Sequence, residues 1–213
     1  MPDRVLCRIG VFYDGSYVTY ARNHYYADRK IGWLDFQPLH LAIEQAVRER
    51  QKEFSTYKVV YAAWFQGLFS TSAANPDQLR RDRRLHLDCI HAGIDPKYVP
   101  MSMSGKEKGV DVALAIDALQ AGLDGKIDVA VLVTGDGDLV PVVRALMKQG
   151  VQVMIVHFEY EGHGAAFINE RLLRAANFAF NVSALEKDKN TKAIFRGLFR
   201  VKDSDPEGGE GAA

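Results

Sequence analysis

Apolar positions along this chain follow two alternating periods. From Val5 to Tyr13, β-branched and aromatic residues run almost unbroken to Asp14-Gly15, the pattern of a buried strand that stops at a turn and feeds a helix near Ser16 to Tyr25. Tyr26 to Trp33 mixes aromatic and basic side chains and reads as a loop. Asp35 then stands where it caps a helix whose apolar positions Leu39, Ile43 and Val47 recur at helical spacing. Tyr57 to Phe65 forms the second expected strand. The turn-rich segment Ser70 to Pro76 introduces a basic helix from Asp77 to His91, with Leu79, Leu87 and Ile90 on one side and Gly93 as its stop.

The alternation continues with a short strand at Tyr98 to Met101, a polar loop from Ser102 to Gly109 and a helix from Val110 to Ala121. Val129 to Thr134 is an uninterrupted apolar run, as expected for a strand covered on both faces, and a helix from Leu139 to Gln149 follows it. Val151 to Phe158 reads as the next strand and Ala165 to Ala175 as the next helix. Val182 to Lys202 reads as a terminal basic helix with Ile194, Leu198 and Phe199 on its apolar side, and 203–213 as a glycine-rich acidic tail with nothing to bury. So regular an alternation predicts an α/β fold with a mainly parallel sheet and right-handed crossovers, whose ligands sit beyond the carboxyl ends of the strands.

The 213 residues suit one domain, with 1–181 as its body. Lysine plus arginine and aspartate plus glutamate each total 27, so no net field draws the molecule to nucleic acid or membrane, and any polyanion must be held by a local basic face. Cys7 and Cys89 stand far apart, which argues against a zinc site or disulfide framework and makes a reducing cytoplasm the simplest expectation. No stretch reaches the roughly 18 apolar residues of a membrane span.

Candidate chemistry gathers at the predicted carboxyl edge: Asp14 after the first strand, Asp111 opening the helix after Lys108-Gly109, and Asp136 and Asp138 after Val133-Thr134. Each alone is adequately explained as a helix cap, a dipole partner or a turn residue. Together, four carboxylates on one edge repel each other unless protonated or neutralised, and all-oxygen ligation of this kind suits Mg²⁺ or Mn²⁺.

Phe12-Tyr13-Asp14-Gly15-Ser16, Lys108-Gly109-Val110-Asp111 with Asp117, and Thr134-Gly135-Asp136-Gly137-Asp138-Leu139 resemble, in order and spacing, the three motifs of NYN domains, in particular the LabA-like branch of the PIN-like nucleases. The resemblance implies a three-layer α/β sandwich and a divalent-metal-dependent ribonuclease, in the first instance an endonuclease. Asp14, Asp111, Asp136 and Asp138 match the acidic cluster as catalytic and metal-binding residues, with Ser16, Thr134 and Asp117 set behind them. Asp117 falls about 120° around the helix from Asp111, which is why it is placed outside the ligand set. Two positions depart from the family pattern: Tyr17 stands where an asparagine is usual, and Asn177 where a later aspartate is expected near the last strand.

RNA would need cations for phosphate and flat faces for stacking. Arg22, Tyr25, Arg29 and Lys30 follow the first acidic turn, and Lys106 and Lys108 flank Asp111, so these six are the candidate RNA contacts. Arg80, Arg81, Arg83 and Arg84 read instead as a solvated helix face. The terminal helix should dock on its own domain or on a second subunit, a homodimer, with its cations outward. A haloacid-dehalogenase-type phosphatase would need an aspartate where Phe12 stands, a Toprim-like domain would need a glutamate in place of Asp14, and a dinucleotide-binding enzyme would want GxGxxG, whereas Thr134-Gly135-Asp136-Gly137-Asp138 places acid where pyrophosphate would approach. The competing reading is a non-catalytic RNA-binding or regulatory module that keeps the acidic cluster.

Overall fold

Val129–Val133, buried at every residue, lies beside Arg4–Asp14 at the centre of a six-stranded sheet. The computed structural model describes residues 4–68, 76–100, 109–161 and 168–200. In chain order the elements are β1 (Arg4–Asp14), α1 (Gly15–Asn23), β2 (Trp33–Leu34), α2 (Phe36–Arg50), β3 (Phe54–Leu68), α3 (Pro76–His91), β4 (Asp95–Pro100), α4 (Val110–Leu123), β5 (Val129–Val133), α5 (Val140–Lys148), β6 (Gln152–His157), α6 (Glu170–Ala175), β7 (Phe178–Asn181), α7 (Ala184–Lys187), α8 (Lys192–Gly197) and β8 (Phe199–Arg200). The sheet order is β4-β3-β1-β5-β6-β7, every pairing is parallel, and β2 and β8 form a separate antiparallel pair.

Side chains alternate across β1. Cys7, Ile9, Val11 and Tyr13 pack into one core with Val18 of α1, Leu39, Ile43 and Val47 of α2, and Cys89 of α3, whereas Phe12 joins the other core with Leu114 of α4, Leu146 of α5 and Leu172 of α6. The result is a three-layer α/β sandwich, as the motif resemblance implies, built on the parallel sheet that the alternating pattern predicts. Asp35 accepts from the Gln37 amide and caps α2, whose three spaced apolar residues are fully buried. Cys7 and Cys89 are free and buried, and burial pushes each thiol up to about 12. No helix among the described residues is long and apolar enough to cross a membrane.

Two expected elements differ. Leu79, Leu87 and Ile90 of α3 face outward rather than into a core, because Cys89 and the half-buried Leu85 form that helix's packed side. The single helix expected over 182–202 is instead α7, α8 and β8. Asp188 Oδ1 accepts from the Asn190 amide at 2.9 Å and the Thr191 hydroxyl donates to the Leu185 carbonyl at 2.9 Å, local bonds that compete with a continuous helix. Phe195, Leu198 and Phe199 still pack on their own domain, against Tyr25, while Ile194 is exposed. The acidic tail and part of the helix expected over 165–175 lie outside the described residues.

Candidate active site

Because Tyr13 pairs with Val133, the residues that follow, Asp14 and Thr134, emerge together at the carboxyl edge. The Thr134 side chain is fully buried and joins two acidic turns: its hydroxyl donates to Asp14 Oδ2 at 3.0 Å and accepts from the Asp136 amide at 3.1 Å. Asp14 Oδ1 accepts from the Tyr17 amide at 3.1 Å, so the carboxylate also caps α1. Asp136 Oδ1 accepts from the Asp138 amide at 2.9 Å, which folds the loop into a short turn with Asp138 exposed. Asp111 is exposed in the first turn of α4, and because α4 follows parallel strand β4 and precedes β5, that turn belongs to the same edge.

Two glycines make the close approaches here. A Cβ on Gly15 would fall 2.5 Å from the Phe65 carbonyl and 2.6 Å from Trp64 Nε1, so only glycine lets the Asp14 turn lie against β3. A Cβ on Gly137 would fall 2.3 Å from the Asn169 amide. Asn169 also donates its backbone N–H to the Gly135 carbonyl at 3.1 Å and accepts from the Arg171 amide at 2.9 Å, which fixes α6 beside the Asp136 loop. The sequence reading passed over Asn169, although an asparagine just ahead of an apolar helical run is a recognisable cap.

Other candidate residues have different roles. Asp117 is held by the Lys97 ammonium at 2.7 Å and by the Tyr61 hydroxyl at 2.6 Å. Tyr61 lies on β3 and Lys97 on β4, so Asp117 is engaged from the far strands of the sheet. Burial and the Asp117 bond push the Tyr61 phenol up to about 12. Ser16 sits half-buried in the first turn of α1.

Among the expected RNA contacts, Tyr25 is 1% exposed, bonds Ser183 Oγ at 2.8 Å and packs on Phe195 and Phe199, so it is a core residue. Arg22 is 5% exposed, bonds Asp88 at 2.5 Å and lies over the rings of Phe36 and Trp33, so it too is unavailable to RNA. Arg29 pairs with Glu186 at 2.7 Å, Lys30 is exposed, and Lys106 and Lys108 lie outside the described residues.

The departures from the family pattern acquire a physical meaning. The Tyr17 hydroxyl accepts from the Phe158 amide at 2.9 Å and donates to its carbonyl at 3.1 Å, tying α1 to the end of β6, and burial pushes its phenol well up. Asn177 accepts from the Val153 amide at 2.8 Å at the opposite, amino edge of the sheet, so it is not the counterpart of a site aspartate. The carboxyl end of β7 carries Asn181, whose side chain donates to Glu159 at 2.8 Å.

The NYN domain profile matches residues 8–182, a span that contains all four edge aspartates. The chain belongs to the NYN domain family. NYN domains fall within the PIN-like nuclease superfamily, so an RNase-type function is the coarse assignment that membership supports. Among solved structures, the NYN fold here is similar to a protein of unknown function from Vibrio parahaemolyticus. The TM-score is 0.56 and the identity 19%, over 85% of this chain and 95% of that one, a likeness of fold alone. No curated protein matches the chain significantly.

Proposed function

We propose that this NYN domain is a divalent-metal-dependent ribonuclease that cuts internal phosphodiester bonds of RNA, with Asp14 and Asp136 as the innermost ligands of Mg²⁺ or Mn²⁺ and Asp111 and Asp138 beside them. The observation that carries the reading is the Thr134 bridge, which ties the Asp14 carboxylate to the Asp136 backbone at the carboxyl edge. Among the described residues, no group of three or more histidine, cysteine, aspartate or glutamate side chains is assembled around an ion position. The donor set fits an ion of another habit, since Mg²⁺ is commonly held by one or two carboxylates together with waters and substrate phosphate. Such an ion, when bound, supplies an activated water and offsets charge on the phosphodiester oxygens.

The chain's own contribution is orientation. Thr134 and the Tyr17 amide hold the two oxygens of Asp14, and the Asp138 amide holds one oxygen of Asp136, so both carboxylates are restrained before any ligand arrives. The feature that would favour an inactive module is Tyr17, which stands where the family usually has asparagine. Its backbone amide still caps Asp14 and its hydroxyl is engaged with Phe158, so the substitution leaves the Asp14 carboxylate oriented.

The test is cleavage of mixed RNAs by purified protein with Mg²⁺, with Mn²⁺ and with chelator, repeated with Asp136→Asn. Metal-dependent cleavage by the parent and at least a hundredfold loss in the variant are expected. RNA binding without cleavage in either metal would establish the non-catalytic module instead.

A further inference from the structure

A groove of about 570 Å³ opens directly from the Asp136 loop and is lined by Gly137, Asp138, Pro141, Arg144, Arg171 and Arg174, among others. Arg171 and Arg174 are one turn apart on α6, and Arg144 follows Pro141 by the same interval on α5, so two helices aim guanidiniums at one space. Arg174 pairs with Glu170 at 3.0 Å, but both side chains are about four-fifths exposed (81% and 79%), where such a pair is worth little. Arg144 and Arg171 have no acidic partner among the described residues, and Asp138 is the sole carboxylate of the lining. On a chain whose formal charge is zero, this is a local cationic concentration beside an acidic edge.

Its position is fixed. Asn169 fills the space over Gly137 and holds the Gly135 carbonyl, and the same side chain caps the Arg171 amide, so the arginine helix cannot drift from the aspartate loop. We infer that Arg144 and Arg171, with Arg174, form a phosphate track that holds the backbone of single-stranded RNA and delivers the adjoining phosphodiester to the Asp14–Asp136 edge. Guanidinium forks match phosphate oxygens bidentately, and phosphate contacts fix register without reading bases. The inference rests on the ribonuclease reading and supplies its substrate contacts, replacing the buried Arg22 and Tyr25.

The experiment measures binding of two short fluorescent single-stranded RNAs, one all uridine and one mixed, across a salt series in chelator, for the parent and Arg144→Ala/Arg171→Ala. Both arginines are exposed, so the variant should fold, as circular dichroism will check. Affinity should fall equally for both RNAs, and the slope of log K against log salt should flatten by about 1.4, or 0.7 per lost contact on a single strand. Arg144→Lys/Arg171→Lys should keep most of the slope. In the cleavage assay, KM for RNA should rise while kcat stays within about twofold. An unchanged slope in a variant of a protein that does cleave RNA overturns the track and leaves the ribonuclease reading standing. Flattening of the slope without cleavage by the parent supports the track and overturns turnover. A parent that neither binds nor cuts RNA overturns both. Equal binding of poly-glutamate would make the groove an acidic-peptide site and overturn the RNA assignment.

Discussion

The Thr134 hydroxyl donates to Asp14 Oδ2 at 3.0 Å from a fully buried position, and so links the first acidic motif to the third. Thr134→Val keeps the shape and removes the bond, leaving the Asp136 amide without this acceptor. A buried donor left unsatisfied costs about 1–3 kcal/mol, which urea unfolding will read. Cleavage should fall further than stability accounts for, with kcat reduced and KM for RNA nearly unchanged, and Thr134→Ser should recover most of both. A valine variant with parental kcat would show that the bridge does not orient the ligands.

Tyr17 gives a prediction of the opposite kind. Its hydroxyl serves both the amide and the carbonyl of Phe158, so Tyr17→Phe should cost about 1–3 kcal/mol in stability while leaving kcat within about twofold. Tyr17→Asn, which restores the usual family residue, should lose stability without gaining activity, since asparagine is too short to reach Phe158. A rise in kcat for Tyr17→Asn would mean that the tyrosine does suppress turnover.

The elements legible in the sequence were those specified by local pattern. The unbroken run at Val129 to Val133, the alternation through β1 and the capped spacing of α2 each follow from neighbours in the chain, and they place Asp14 and Thr134 side by side. Residues whose partners lie far away in the chain were less legible. Tyr25 has the composition of a stacking platform but is drawn inward by Phe195 and Phe199, some 170 residues later, and Asp117 is claimed by Lys97 and Tyr61 from neighbouring strands. The arginine groove was hidden for the same reason, because Arg144 and Arg171 meet only through the packing of α5 against α6.

His40 should make stability depend on acid. Burial pushes its pKa down from 6.5 to about 4, with Glu44 one turn away offsetting only part of the shift, and Nε2 is buried without a partner among the described residues. The unfolded chain therefore binds a proton here that the folded chain refuses. The contribution to stability is full above about pH 6.5 and is lost as pH falls toward 4, in total about 3 kcal/mol. His157 is lowered by burial in the same direction, so the comparison must be differential. Across that window, unfolding free energy should fall about 3 kcal/mol less in His40→Leu than in the parent. Parallel curves would show that His40 is not buried as described.

Asp88 bridges the first helix and β8. Its carboxylate bonds Arg22 at 2.5 Å and Arg200 at 2.7 Å, and Arg200 also reaches Asp35 at 3.3 Å, so α1, α3 and β8 share one ionic cluster. Burial works against the Asp88 carboxylate, yet the guanidiniums of Arg200 and Arg22 hold its pKa below the usual range. Arg22 is almost wholly buried, so Asp88→Asn leaves a desolvated cation partly uncompensated, which costs about 3 kcal/mol or more. Replacing both partners, Arg22→Met with Asp88→Leu, should cost less than Asp88→Asn alone, because the stranded charge is removed with its partner. Neither change should alter the salt slope of RNA binding. The charge-only pair Lys192→Ala and Arg196→Ala, on exposed sites of α8, should leave stability within about 0.5 kcal/mol of the parent. Truncation before Lys192 removes Phe195, Leu198, Phe199 and Arg200 together and should unfold the domain. A truncated protein with parental unfolding free energy would show that the chain end is an appendage rather than part of the core.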